Sequence, residues 1–367
     1  MMAGHILHLN AERTWRGGER QLAYLIEKSL ENGLEISLMC RDKSAIYRWC
    51  VDRGVQVVTA PFRNGLDVDT ALRIKSYASR RGVSLVHTHS GRAQSLAYMA
   101  LRLGMSTPVV AHRRVDFPLK SRGPSLAKYK HEGVKAVICV SKAIGEMVRE
   151  KIGDGKVRVV YSGIDFGRFS DDPPTGFLHR ELGWDPALPL VANVSALASH
   201  KDYPTFVRAA HRVLSAGVKC GFLIVGEGEL RYELEKLSRS QPGGDSIAFL
   251  GFREDVPAIL RELDVFLITS KTEGLGTTVI DAMYNALPVV ATAAGGIPEM
   301  VSQGENGFLC PVGDDACLAE RILELLADDA KRSAMGAAGK RTAGAFGMDQ
   351  MAEGVFGVYK EIFGGLG

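Results

Sequence analysis

Between positions 270 and 281 the chain reads Ser-Lys-Thr-Glu-Gly-Leu-Gly-Thr-Thr-Val-Ile-Asp. An apolar run at 264–269 feeds this loop, and a helical pattern begins near Gly276 and continues through Ala286. Free backbone N–H groups at a helix start, together with the helix dipole, form an anion site. Gly274 and Gly276 let a phosphate approach the backbone closely. Glu273 stands in the loop, where its carboxylate can accept hydrogen bonds from hydroxyls. Asp281 falls just over a turn into the helix, on the side that can reach the same ligand. Two carboxylates beside a phosphate site suit polyol hydroxyls, one set from a sugar and one from a ribose. The plain alternative is a helix-capping loop with a solvent-facing acid.

Other candidates carry less chemistry. Gly226-Glu227-Gly228 lacks the third glycine of a dinucleotide fingerprint, since Arg231 stands there, and reads as a strand-to-helix turn. Asp67-Val68-Asp69 has the form of a metal-binding acid pair, but a helical pattern follows at 70–80, so Asp69 reads as an N-cap. His87 and His89 could ligate a metal, yet no third ligand is spaced for it. Their place at a strand end favours substrate contact or loop hydrogen bonding. His112, alone, reads as a satisfied core histidine.

These residues need elements to hold them. At 367 residues the chain has room for two domains, each with its own core. Short apolar runs at 6–9, 36–40, 55–58, 85–87, 109–111, 136–140 and 157–160 alternate with amphipathic stretches at 20–30, 70–80 and 142–151. Such alternation gives βαβ units on a parallel sheet. A proline- and acid-rich break at 165–189 separates a second series of runs, at 190–194, 221–225, 247–250, 265–269 and 289–291. The fold class is therefore α/β, with two doubly wound Rossmann-like lobes facing a cleft. The last helical stretch, 348–362, is placed to cross back to the first lobe. In open α/β sheets ligands sit at the carboxyl ends of strands, so function belongs to the loops there.

Composition narrows the class. Hydrophobic residues are 46% and charged residues 24% of the chain, which disfavours disorder and coiled coil. No apolar run approaches the ~20 residues that span a bilayer, and the N-terminus lacks a signal-peptide pattern. The six cysteines form no Cys-x-x-Cys pair, so they are expected to be free thiols in a reducing, cytoplasmic compartment. Residues 1–160 carry a net charge of +13 and the remainder −10, so the first half is expected to meet something anionic. Cations cluster at Arg73, Lys75, Arg80 and Arg81, and again at Arg113, Arg114, Lys120, Arg122, Lys128, Lys130 and Lys135. Few aromatics interleave them, chiefly Phe117 and Tyr129, so nucleic acid is disfavoured against membrane lipid or a phosphorylated acceptor.

Taken in order, these blocks resemble a known family. The 270–281 segment is similar to the Glu-x7-Glu signature of the family 4 (group 1) retaining glycosyltransferases with the GT-B fold. The stretch Val157 to Asp165, Phe222 to Gly228, Phe249 to Val256, Gly295-Gly296-Ile297-Pro298-Glu299 and Asn306-Gly307 resemble its further blocks over about 300 residues. The resemblance implies an N-terminal acceptor-binding lobe at 1–168, completed by a C-terminal helix at 348–367. It implies a nucleotide-sugar-binding lobe at 169–347.

Residue by residue, it implies that Glu273 contacts the donor sugar and Asp281 the ribose. Gly274, Leu275, Gly276, Thr277 and Thr278 would offer N–H groups to sugar and diphosphate. Lys201 would pair with the diphosphate, and Gly251, Phe252 and Arg253 would border the base. Gly17 and Gly18 match the glycine loop of the first lobe, and His112 the active-site histidine. Two positions depart from the pattern. Asp281 replaces the usual glutamate, and Ala196 stands where the family has an arginine that partners the lysine. Arg13, Arg16 and Arg20 are the substitutes to check. The implied activity is a retaining, metal-independent transfer from a nucleoside-diphosphate sugar, without a resident cofactor. The implied acceptor is an anionic lipid-linked or phosphorylated glycan such as lipopolysaccharide core, met at the inner face of the cytoplasmic membrane. A sugar-nucleotide epimerase and a non-catalytic sugar-nucleotide binder are the alternatives.

Overall fold

A computed structural model describes residues 4–119 and 123–364. The chain divides into two compact units: one takes the chain up to Gly163 plus the segment from Met348, the other spans Ile164–Gly347. Each is a parallel sheet between helices, so the α/β, doubly wound reading holds for both.

The first unit contains β1 (His5–Leu9), β2 (Glu35–Cys40), β3 (Gln56–Thr59), β4 (Leu85–Thr88), β5 (Val109–Arg113), β6 (Val134–Cys139) and β7 (Val157–Val159), in the order β3-β2-β1-β4-β5-β6-β7. The second contains β8 (Leu190–Val194), β9 (Gly221–Val225), β10 (Ile247–Gly251), β11 (Val265–Ile268), β12 (Val289–Thr292) and β13 (Gly307–Cys310), in the order β10-β9-β8-β11-β12-β13. Parallel strands covered on both faces read as continuous apolar runs. β11, Val-Phe-Leu-Ile, is wholly buried, and each such side chain contributes about 1.5–3 kcal/mol. β13 was not expected from the sequence: its run, Gly-Phe-Leu-Cys, is too short to stand out.

The helix Met348–Gly364 packs Met351, Val355, Tyr359 and Ile362 into the same core as Ile6, Leu22, Leu38 and Leu85. The last helix thus completes the first unit, as the sequence pattern suggested. Two local expectations need correction. The helix Val68–Arg80 is capped by Asp67, not Asp69: the Asp67 carboxylate accepts from Thr70 N at 3.3 Å and from Arg63 N at 2.9 Å, while Asp69 pairs with Arg73. Cys310 and Cys317 are joined as a disulfide rather than left as thiols. The turn between β13 and the helix Asp315–Ala327 brings their Cα atoms to 5.9 Å, within bridging range. Cys40, Cys50, Cys139 and Cys220 are buried free thiols, and burial raises the pKa of each.

Candidate functional site

In the second unit the strand order reverses between β8 and β11. Loops leaving the carboxyl ends of strands at such a point diverge and leave room for a ligand. Lys201 ends a short 3₁₀ turn after β8, and Glu273 lies in the loop after β11. The Lys201 ammonium donates to both carboxylate oxygens of Glu273, at 2.9 and 2.7 Å, with side chains only 13% and 11% exposed. Around them the two loops are latched. Thr269 Oγ1 donates to the carbonyls of Lys201 and Asp202, both at 3.1 Å, and Lys271 N donates to His200 O at 2.8 Å. Lys271 also pairs with Asp202 at 3.2 Å. Burial, with the Lys201 charge beside it, lowers the pKa of His200.

Gly276 has φ +89°, a left-handed conformation that suits glycine, and its neighbour Thr277 opens the helix Thr277–Tyr284. A Cβ there would stand 3.3 Å from Glu273 Cγ. Gly274 and Gly276 thus bring an amide-rich turn against the Lys201–Glu273 pair. Leu275 is buried, and Thr277 and Thr278 are half-buried. Gly296 N donates to Glu273 O at 3.3 Å, so the loop after β12 also steadies this turn. Asp281 lies inside the helix, only 3% exposed.

Gly251 ends the edge strand β10 elsewhere on this sheet, and Phe252 and Arg253 follow it. The Phe252 ring is 72% exposed, a flat apolar face at the rim. Arg253 is held by Asp255 at 2.6 Å and Glu181 at 2.7 Å, and these bonds raise its pKa. Ala196 is exposed on the loop after β8. Here Gly226, φ +144°, passes so close that a Cβ would lie 2.0 Å from Ser195 O, and a Cβ on Gly228 would lie 2.4 Å from Leu197 O. The two glycines serve a close crossing of loops, which accords with a turn rather than a dinucleotide fingerprint.

In the first unit the order reverses between β1 and β4. The register places His8 directly opposite His87. His8, His87 and His89 offer ring nitrogens that all lie within 4.8 Å of one another. The expectation of no third ligand is therefore incorrect: His8, 79 positions upstream of His87, is supplied by strand pairing rather than by local spacing. His112 stacks on His87 at 5.3 Å between ring centroids, with 4° between planes. Arg114 approaches His89 Nδ1 at 3.1 Å and His112 Nδ1 at 3.3 Å. With Arg114 donating to Nδ1, His89 carries its proton on Nε2 and donates to His8 Nδ1 at 2.9 Å. Arg114 thus holds one ring of this triad as well as His112 and sets a positive charge beside them, and the rings form a hydrogen-bonded relay.

Burial, reinforced by the Arg114 charge, lowers the pKa of His8 to about 3 and holds His112 well below the usual value. His87 and His89 are lowered too, with burial first and a neighbouring histidine next. Desolvation brings Arg114 itself down to about 10, opposed by the charge of Glu19. His87 Nδ1 meets the Tyr359 hydroxyl at 2.6 Å, which ties the C-terminal helix to this cluster. Gly17 and Gly18 open the helix Gly17–Glu31 after β1, and a Cβ on Gly18 would stand 4.0 Å from Arg114 Cδ. Arg114 is thus a common neighbour of Gly18 and His112.

The expected surface cations divide. Arg80 and Arg81 are exposed at the end of the helix Val68–Arg80, and Lys75 Nζ donates to Leu103 O at 2.7 Å. Arg73 is exposed beside Asp69. Arg113 is withdrawn from the surface, 8% exposed and bonded to Phe117 O and Tyr129. Arg114 is withdrawn into the histidine cluster. Both sit where β5 ends inside the unit, so neither is available to a flat membrane face. Lys120 and Arg122 lie outside the described residues.

Comparison with known proteins adds to this geometry. Residues 15–168 match the family model described as Glycosyltransferase Family 4, and residues 175–342 match that of Glycosyl transferases group 1. A lipopolysaccharide core biosynthesis glycosyltransferase, LpsE of Rhizobium meliloti, is 24% identical over 335 residues, covering 89% of this chain and 90% of its own. The N-acetyl-alpha-D-glucosaminyl L-malate synthase of Bacillus anthracis is 26% identical over 277 residues, 74% of this chain and 72% of its own. Among solved structures, Anabaena HepE in complex with UDP and glucose superposes with a TM-score of 0.85 at 20% identity, covering 98% of this chain and 100% of that one.

Proposed function

The chain belongs to the group 1, family 4 glycosyltransferases, and on that premise we propose that it moves a sugar from a nucleoside-diphosphate donor to a hydroxyl of an anionic glycan, with retention and without a metal. The Lys201–Glu273 pair at the reversal point of the second sheet carries the reading. Each group is a ready partner for one half of a nucleotide sugar. The ammonium turns to the diphosphate and the carboxylate to the hydroxyls of the sugar, so the donor replaces one buried ion pair with two satisfied contacts. Amides of the Gly274-to-Thr278 turn and the start of the helix Thr277–Tyr284 add positive potential where charge grows on the leaving diphosphate. Phe252 offers a face to the base, and Asp281 a carboxylate to the ribose. In the first unit His112, kept neutral, accepts from Arg114 and leaves its other ring nitrogen for the reacting sugar or acceptor.

The names of the relatives favour a cell-surface glycan, such as lipopolysaccharide core, as acceptor. The net charge of +13 on residues 1–160 suits such an anionic partner and supports a working site at the inner face of the cytoplasmic membrane.

The test is a panel of UDP-, GDP- and ADP-sugars, with and without phosphorylated glycan acceptors and with excess chelator. Released nucleoside diphosphate, a product with the donor's anomeric configuration and indifference to chelator are expected. An isomerised donor would identify an epimerase, and binding without turnover a carrier; either result overturns the proposal.

A further inference from the structure

A second polar site lies in the first unit, away from the histidine cluster. Beyond the carboxyl ends of β2 and β3 a cavity of about 520 Å³ is lined by Arg13, Arg41, Arg63 and Arg73, with Asp42 and Thr59. That volume is in the range of small-molecule sites. The four arginines are not equivalent. Arg63 is paired with Asp67 at 3.5 Å and Arg73 with Asp69 at 3.1 Å. Among the described residues neither Arg13 nor Arg41 makes an ion pair, and neither does Asp42. Two guanidinium groups and one carboxylate are thus presented without counter-charges of their own.

The backbone is bent to hold them. Phe62 is fully buried yet has φ +47°, and Lys43, in the loop after β2, has φ +54°. These are two of only four positive-φ residues other than glycine among the described residues, and both flank this cavity. Such conformations cost free energy and persist where surrounding contacts over-determine them, commonly at binding sites. The turned Phe62 carbonyl accepts from both Arg41 and Arg92, gathering two cations onto one oxygen. Arg41 Nε is buried and has no hydrogen-bond partner. Arg13 is brought alongside because Ala45 N donates to Arg13 O at 3.0 Å. Burial, then the charges of Arg92 and Arg13, depress the pKa of Arg41, outweighing the opposing charges of Glu12 and Asp67.

We infer that this cavity is a phosphosugar subsite: Arg13 and Arg41 grip a phosphate monoester, and Asp42 accepts from a hydroxyl of the same sugar. Planar guanidinium groups match phosphate oxygens, and a free carboxylate beside them would repel a bare anion but suits a ring bearing both groups. A concave site also excludes a flat lipid leaflet from Arg41. The inference rests on the glycosyltransferase reading and deepens it, because it fixes the chemical class of the acceptor as a glycan carrying phosphate.

The test is calorimetric titration of the full chain with glucose 6-phosphate, glucose, inorganic phosphate and UDP, alongside sedimentation with phosphatidylglycerol vesicles. Glucose 6-phosphate should bind and glucose should not. R13Q and R41Q should each weaken that binding roughly 10- to 100-fold, as for a lost charge-assisted hydrogen bond, with UDP affinity unchanged. D42N should weaken glucose 6-phosphate binding but not that of inorganic phosphate. Arg13 is exposed and its side chain supports no internal bond, so R13Q remains decisive even if R41Q fails to fold. Undetectable glucose 6-phosphate binding, equal affinity in R13Q, or an effect of R13Q confined to vesicles would overturn the subsite. Failure of the transferase reading would look different: no nucleoside diphosphate released from any donor, with phosphosugar binding intact.

Discussion

Lys201 and Glu273 are 72 positions apart in sequence, yet the Lys201 ammonium touches both oxygens of the Glu273 carboxylate. Neighbouring strands β8 and β11 end side by side, and the two loops are tied together by Thr269 and Lys271. Each charge is therefore the other's resting partner, and the two substitutions should not behave independently.

Glu273→Ala should lower kcat about 10²-fold or more, in the range seen when a transition-state contact is removed. Lys201→Ala should do comparable damage. The double variant should cost much less than the product of the two, because either single change already leaves one buried charge alone. Steady-state kinetics on the three variants checks this; strict multiplicativity would show that the two groups act separately.

Ala196→Arg should tighten nucleoside diphosphate binding about tenfold, which is one charge-assisted hydrogen bond. Position 196 is exposed, so the longer side chain has room, and the Lys201–Glu273 pair leaves the ammonium partly neutralised. Titration with UDP, GDP and ADP is the measurement, and no gain with any of them would rule the position out as a phosphate contact.

Gly226→Ala should destabilise the second unit by about 2–4 kcal/mol, since the new Cβ would meet Ser195 O at 2.0 Å and φ is +144°. Gly217 is the control: its φ is +82° with nothing within 4 Å, so Gly217→Ala should cost only about 1–2 kcal/mol. Denaturant melts of both variants make the comparison.

Stability should fall as the solution is acidified from about pH 6.5. The unfolded chain protonates its histidines near that value, whereas burial keeps His8 neutral to about pH 3 and holds His87, His89 and His112 well below the ordinary range. In this window the unfolded state binds more protons, so ΔG of unfolding drops with falling pH, by up to about 1.4 kcal/mol per unit for each histidine. Arg114, Tyr359 and Glu19 face the cluster, and neither Arg114 nor Tyr359 titrates in this window. His8→Asn should flatten the dependence of Tm on pH between 4.5 and 6.5; an unchanged slope would mean that water already reaches these rings.

Much of the architecture could be read beforehand because buried parallel strands leave an apolar trace in the sequence. All seven strands of the first unit and five of the six in the second coincide with such runs. β13 escaped because a four-residue strand beginning with glycine gives little signal. The loop around Glu273 was legible since glycine, acid and helix start fall within a few residues of one another. The histidine cluster was not. His8 reaches His87 only through strand register, and Arg114, read as a surface cation, turns inward because β5 ends beside those rings. Spacing along the chain records helical neighbours well and neighbours across a sheet poorly. The same limit hid the gathering of Arg13, Arg41 and Arg63, whereas the Cys310–Cys317 bridge, only seven positions apart, escaped because the unrecognised β13 and its turn bring the two thiols together.

The C-terminal helix sets a schedule for the nascent chain. On the ribosome the first sheet emerges early, but Leu22, Leu38 and Leu85 wait for Val355 and Tyr359, which are made only after the whole of the second unit. Until then the first unit holds open a hydrophobic slot, and His87 lacks its tyrosine. The second unit needs nothing from beyond Gly347 and can fold while its elder neighbour is still incomplete. A chain that stopped before Met348 would thus release a finished second unit tethered to a sticky, unclosed first one, so quality control would meet such a stop as exposed apolar surface rather than as a quiet loss of activity.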